Sequence, residues 1–422
     1  MLQKPKGTKD ILPEESYIWN YVERVAEYEV FENYGFKEIR IPTFEYTELF
    51  QRGVGDTTDI VQKEMYTFED KGGRSLTLRP EGTAGIIRAY IENGLSSKAS
   101  PLKLWYKMPV YRYENVQKGR DREFNQLGCE ILGSSSYLAD VEVITAAYNI
   151  LKSLNLEKKI ELNINSIGCP TCRREYQKAL KNFIGEKLDE YCDTCKTRFE
   201  KNPMRILDCK EEKCRKLNEG APIILDYLCE ECSKHFENVK SMLSALEIKY
   251  NIDPRIVRGL DYYTKTVFEF ISKEESYTVI GGGRYDGLVK ELGGQDTPAV
   301  GFGLGEERLI SLVSNNNEIK DINTVLYIAT MGEEKQIIKA LKLSSELRKY
   351  LPVETDINSR SFNAQLKYAN KIHAENLLVI GEDELKNNSG KIKNMETGKE
   401  YNVELNANEI FETILNIDEE NE

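Results

Sequence analysis

The sequence predicts a mixed α/β protein of more than one unit, on three observations. Its 422 residues exceed what one compact core usually holds. Two alternating arms, Pro109 to Tyr113 and Glu123 to Leu132, flank a polar, glycine-containing loop from Asn115 to Arg122, as in a β-hairpin. From Thr324 onward, strand-like and helix-like stretches succeed one another as in a small open α/β unit.

Taken in order, Ile18, Val22, Val25, Ala26, Val30 and Phe31 recur at helical spacing after Pro13, and Gly35 is placed to end that helix. Phe36 to Ile41 then alternates as a strand stopped by Pro42. Ser75 to Arg79 reads as a strand running through Pro80-Glu81-Gly82-Thr83 into a helix from Ala84 to Asn93. Glu81 and Thr83 thus sit at a strand end beside a helix N-terminus, a common place for ligand contacts, with helix capping by Thr83 as the alternative. In the hairpin, Gln126, Gly128 and Glu130 share one face, and Arg112 is expected beside Gln126 and Glu130. A polar pair flanking a glycine would let a ligand approach the backbone. A helix from Val141 to Leu154 and a strand from Ile160 to Ile167 follow.

The texture then changes. Between Cys169 and Lys216 there are 13 Lys+Arg and 9 Asp+Glu, a local balance of +4 in a chain of net charge -12. Eight of the nine cysteines fall in pairs there and just beyond: Cys169 and Cys172, Cys192 and Cys195, Cys209 and Cys214, Cys229 and Cys232. Such spacings could fill one or two tetrahedral zinc sites, with the pairing open. The segment reads as an inserted, mostly helical subdomain over 168–250. Beyond it come Arg258 to Tyr263, a strand through Phe270, the run Tyr277 to Leu288 with its glycine triplet, and a glycine-studded strand Pro298 to Gly305. The triplet lacks the lysine and spacing of a P-loop. Arg308 lies in the first turn of the next helix, against the dipole preference, which suggests an anionic ligand. Ser314 to Asp321 suits a linker, and strands at 325–329, 353–357 and 377–380 with helices at 334–351 and 362–374 complete the chain.

The acidic balance argues against broad, non-specific nucleic-acid binding but leaves room for a structured RNA with a local basic footprint. No apolar run approaches a membrane span, and the start lacks the apolar region of a secretory signal. The expectation is a cytoplasmic protein without a membrane partner, its cysteines thiols or metal ligands.

In this order the motifs resemble the histidyl-tRNA synthetases, of the class II aminoacyl-tRNA synthetases. Arg258-Gly-Leu-Asp-Tyr-Tyr263 and Gly281-Gly-Gly-Arg-Tyr-Asp-Gly-Leu288 resemble that family's signature blocks, and Leu78 to Thr83 and Gln117 to Arg120 are similar to further family segments. The resemblance implies a catalytic domain over 1–320, α+β on an antiparallel sheet, and an open α/β anticodon-binding domain over 324–422. It implies ATP-dependent activation of L-histidine to histidyl-adenylate and transfer to the 3′ end of tRNA(His), with Mg2+, in a homodimer. Arg112 would bind the α-phosphate and Arg308 the γ-phosphate, with Phe124 stacked on adenine. Glu81, Thr83 and Gln126 would hold the amino group of histidine. Glu130 and Tyr263, with Tyr262 and Tyr285, would face the imidazole, and Arg258 would touch the carboxylate and α-phosphate. Gln117, with Arg120 in the same loop, would meet the tRNA. The cysteine pairs depart from many members, so a metal there is expected to stand outside the chemistry. The main rival is a non-catalytic, histidine-sensing regulatory subunit of histidine biosynthesis. Such paralogues generally lack the anticodon domain and the signature residues, both of which this chain keeps.

Carboxylate attack on phosphorus needs no general base, since the nucleophile is ionised at pH 7. Only two histidines occur, His235 and His373, neither in a motif.

Overall fold

The hairpin arms form the second and third strands of an eight-stranded sheet. Its order is Lys37–Glu38, Leu102–Tyr111, Glu123–Leu132, Ala299–Gly305, Thr278–Arg284, Thr264–Ser272, Ile160–Ser166 and Asn251–Ile252. Interior pairs are antiparallel, and the two edge pairs are parallel. The computed structural model describes residues 2–421 except 56–57, 99, 315–318 and 320–323. The expected linker, but for Ser314 and Ile319, lies outside the described residues. The chain divides into two units, Met1–Ile319 and Lys320–Glu422.

One face of the sheet is a conventional core. Trp105, Cys129, Phe268 and Phe302 point into it, and Phe31 stacks on Trp105 at 5.4 Å between ring centres. It is covered by the helix Pro13–Arg24, its π-helical continuation Val25–Glu32 and the helix Tyr137–Ser153, whose start is capped by Ser136 Oγ accepting from the Leu138 N–H at 3.2 Å. The opposite face, with Leu104, Tyr106, Met108 and Val110, packs a second buried cluster with Ile86, Ile87 and Tyr90 and also bears the site.

Several expected boundaries move. The strand expected over 36–41 shrinks to Lys37–Glu38, because the Ile41 and Pro42 carbonyls accept from the Arg79 guanidinium at 2.9 and 3.0 Å instead of from a sheet neighbour. The first hairpin arm starts at Leu102, seven residues before Pro109. Its outer half is covered on both faces and so does not read as alternation.

The second unit has a five-stranded sheet ordered Val353–Thr355, Leu326–Thr330, Asn376–Ile380, Ser389–Asn394, Glu400–Glu404. The first three strands are parallel, which fits the expected open α/β unit; the final hairpin and the helix Ala407–Asn421 extend the predicted pattern. Among the described residues no helix is long and apolar enough to cross a membrane.

Candidate active site

A cavity of about 320 Å³ opens on this second face of the large sheet, within the range of small-molecule sites. The loop before the helix Thr83–Glu92, both hairpin arms, the loop Arg258–Tyr263, the glycine strands and the start of the helix Glu306–Val313 line it. The structure brings Glu81, Thr83, Arg112, Arg120, Phe124, Gln126, Glu130, Arg258, Tyr262, Tyr263, Tyr285 and Arg308 to this cavity, from more than two hundred residues of sequence. Gln117 is exposed in the hairpin loop and is not among the lining residues.

One end is built of carboxylates and phenols. Glu130 is 1% exposed and accepts hydrogen bonds from Thr83 Oγ1 at 2.8 Å and from the Tyr285 hydroxyl. Burial outweighs those two donors and pushes its pKa up to about 8. Burial likewise raises the phenols of Tyr262, Tyr263 and Tyr285, which stay protonated donors. Glu81 accepts from the backbone N–H groups of Thr83 and Ala84 at 2.7 and 2.8 Å, so Glu81, not Thr83, caps the helix. Thr83 turns its hydroxyl to Glu130 instead. Gln126 Oε1 accepts from the Gly82 N–H at 3.2 Å, tying the hairpin to the same turn.

The other end is cationic. Arg112 donates to the Pro80 carbonyl at 2.8 Å and stacks over Phe124 at 5.3 Å. Arg308 donates to the carbonyls of Gly119 and Thr278 at 2.8 and 2.7 Å, and its pKa is lowered by burial and then by nearby Arg120. Arg258 pairs with Glu269, which holds its charge against burial, and among the described residues its Nε is buried without a partner. Glu114 lies 3.2 Å from Arg120. Glu307 accepts from the Asn125 N–H at 2.8 Å, and burial, opposed by that bond, raises its pKa to about 7. Four arginines about a small cavity, Arg112, Arg120, Arg258 and Arg308, favour a polyanion, and Glu114 and Glu307 beside them could bind a divalent cation.

Two expectations from the hairpin are corrected. Arg112 does not lie beside Gln126 and Glu130: those residues pair with Met108 and Leu104, and Arg112 follows the strand end, its N–H bonded to the Arg122 carbonyl. Gly128 does not admit a ligand to the backbone. A Cβ there would strike the Tyr106 ring and the Phe302 carbonyl, so this glycine makes room for protein. The neighbouring strands use glycine in the same way: a Cβ on Gly301 would meet the Glu130 carboxylate, one on Gly303 the Gln126 amide and one on Gly281 the Arg258 guanidinium. Sequence reasoning missed Tyr106, Glu114, Glu269 and Glu307. Of these only Glu307 carried a signal, its place beside Arg308 at a helix start.

The cysteines gather into two quartets. Cys169, Cys172, Cys229 and Cys232 form one, Cys192, Cys195, Cys209 and Cys214 the other, with all sulfur atoms of each within 4.8 Å of one another. A tetrahedron with zinc–sulfur bonds of about 2.3 Å has edges of about 3.8 Å, so small shifts would close either quartet on Zn2+. Cys169, Cys192 and Cys229 each occupy the N-cap of a helix. At Cys169, burial is opposed by N–H groups of that first turn, and the thiol falls to about 7.

A sequence model of the family described as histidyl-tRNA synthetase matches residues 7–309, and one described as an anticodon binding domain matches 325–417. A histidine--tRNA ligase of Clostridium novyi is 54% identical over 98% of this chain and 99% of its own length. One from Caldanaerobacter subterraneus is 54% identical over 99% of this chain and all of its own. The crystal structure of apo S. aureus histidyl-tRNA synthetase superimposes with a TM-score of 0.80 at 39% identity, covering 96% of this chain and 98% of that one.

Proposed function

The chain belongs to the histidyl-tRNA synthetase family, and from that premise we infer that it activates L-histidine with ATP and transfers the histidyl group to the 3′ end of tRNA(His). The observation that carries the reading is the two-ended cavity, a buried carboxylate–phenol pocket adjoining an arginine cluster. Full-length relatives named as ligases favour catalysis over the regulatory-subunit reading.

The chemistry follows from charge. Histidine enters as an ionised carboxylate, so the protein must position it in line with the α-phosphorus and stabilise charge spreading over phosphate oxygens. Arg112 would bind the α-phosphate with Phe124 against adenine, and Arg308 would take the γ-phosphate. Arg258, with its unpartnered Nε, would reach the carboxylate and the α-phosphate during attack. Glu81, Thr83 and Gln126 would receive the α-amino group. Glu130, Tyr262, Tyr263 and Tyr285 would read both imidazole nitrogens, and an analogue leaving such groups unpaired is rejected by about 10^4. Glu114 and Glu307 would hold Mg2+, which neutralises phosphate charge when bound. The pKa of Glu307, raised by burial, suits a carboxylate that gains from a cation.

The exposed Gln117, with Arg120, would meet the tRNA, and the unit 320–422 would read the anticodon. Each cysteine quartet would hold one structural Zn2+, and the insert over 168–250 would be a zinc-knotted subdomain. The protein would work in the cytoplasm as a homodimer, as its family implies. Histidine-dependent exchange of pyrophosphate into ATP, together with charging of tRNA(His), tests the reading. Folded protein without either activity would refute it.

A further inference from the structure

The loop Arg258–Tyr263 belongs to no helix or strand, so neighbours must impose its shape. Three hydrogen bonds reach it from the cysteine-rich insert. Arg205 Nη1 donates to the Gly259 carbonyl at 3.1 Å, Asn202 Nδ2 to Asp261 Oδ1 at 2.9 Å, and Arg173 Nη1 to the Tyr263 carbonyl at 3.1 Å. Arg205 is 5% exposed, and its ion-pair partner is Asp59 at 3.7 Å, which Arg198 approaches more closely at 2.8 Å. A buried guanidinium this lightly paired is costly to keep. What it gains is a grip on the backbone next to Arg258.

The two residues that make the grip lie within the segment that carries the second cysteine quartet. Arg205 and Asn202 lie between Cys195 and Cys209, where Met204 and Ile206 of the turn Pro203–Ile206 share one buried cluster with Cys195, Cys209 and Cys214. Asn218 Nδ2 donates to the Ile206 carbonyl at 3.0 Å and fixes the turn from the far side. Arg112 and Arg308 donate instead to Pro80, Gly119 and Thr278, all outside the insert.

We propose that Arg205 and Asn202 are positioning residues for histidine activation: the insert clamps the loop 258–263 so that Arg258 and the two tyrosines face the cavity. The proposal rests on the synthetase reading above and deepens it. The clamp holds the two tyrosines of the histidine pocket and Arg258, which would meet the α-phosphate only during attack, and it leaves Arg112 and Arg308 to other partners, so it should act on kcat and on the KM for histidine while leaving the KM for ATP as it was.

The test is steady-state pyrophosphate exchange by the full-length Arg205→Met, Arg205→Lys and Asn202→Ala variants, with thermal unfolding measured alongside. Arg205→Met should lose about 10- to 100-fold in kcat and raise the KM for histidine, with the KM for ATP within about twofold. Arg205→Lys, which keeps a donor, should recover part of the loss. Asn202→Ala should show the same split more weakly, and it decides the matter if Arg205→Met fails to fold. Folded variants with wild-type kcat and histidine KM, or with histidine and ATP KM rising together, would overturn the clamp. Wild-type protein without exchange would instead remove the synthetase reading beneath it.

Discussion

At the residue scale, Glu130 is a buried carboxyl whose environment in the unliganded protein disfavours its charge. Its pKa of about 8 in the fold compares with about 4.3 for a free glutamate. Folding therefore favours the protonated form. The stability this group contributes is full below about pH 4.3 and is lost as pH rises toward 8. Glu130→Gln removes the titration, so the unliganded variant should melt above wild type at pH 8 and near it at pH 4. Histidine affinity should fall about 10- to 100-fold, since the amide cannot take the charge that Glu130 can take when an imidazole partner binds, and hydrogen bonds to a charged group are among the stronger ones. Calorimetry at the two pH values with a histidine titration checks both. Equal melting shifts at pH 4 and pH 8 would refute the assignment.

At the element scale, the glycines of the central strands read in sequence as weak ligand-binding signals, yet several serve the protein's own side chains. Gly301 and Gly303 leave space for Glu130 and Gln126, which the register sets on the adjoining strand. That dependence is invisible in sequence, because strands that pair here lie more than 160 residues apart. The cysteine pairs follow the same lesson. Their spacing announced knuckles, but only folding showed that the first pair joins the last across the neck of the insert while the middle two join each other. Protein purified without chelator should carry about two zinc ions per chain, and less than about half an equivalent would reject the sites. Chelation should lower the unfolding temperature by destabilising the insert.

At the scale of the whole molecule, the two units have separate cores and separate sheets. The proposed division of labour predicts that residues 1–319, produced alone, keep histidine-dependent exchange within about threefold. Charging of tRNA(His) should drop about 100-fold or more, as expected when one of two linked binding modules is removed. Exchange lost along with charging would show that the catalytic unit depends on its partner unit.

The sequence by itself determined the fold class, the hairpin, the succession of strands and helices in the second unit and most of the residues that meet at the cavity. These were legible because alternation, glycine placement and short motifs are local properties of the chain. Tertiary structure alone decided that Thr83 turns to Glu130 while Glu81 caps the helix, that Arg258 leans on Glu269, and that Arg205 reaches from the insert to the loop beside it. Each of these contacts depends on strand register or on residues far apart in the chain, and no local pattern of residue types encodes a register.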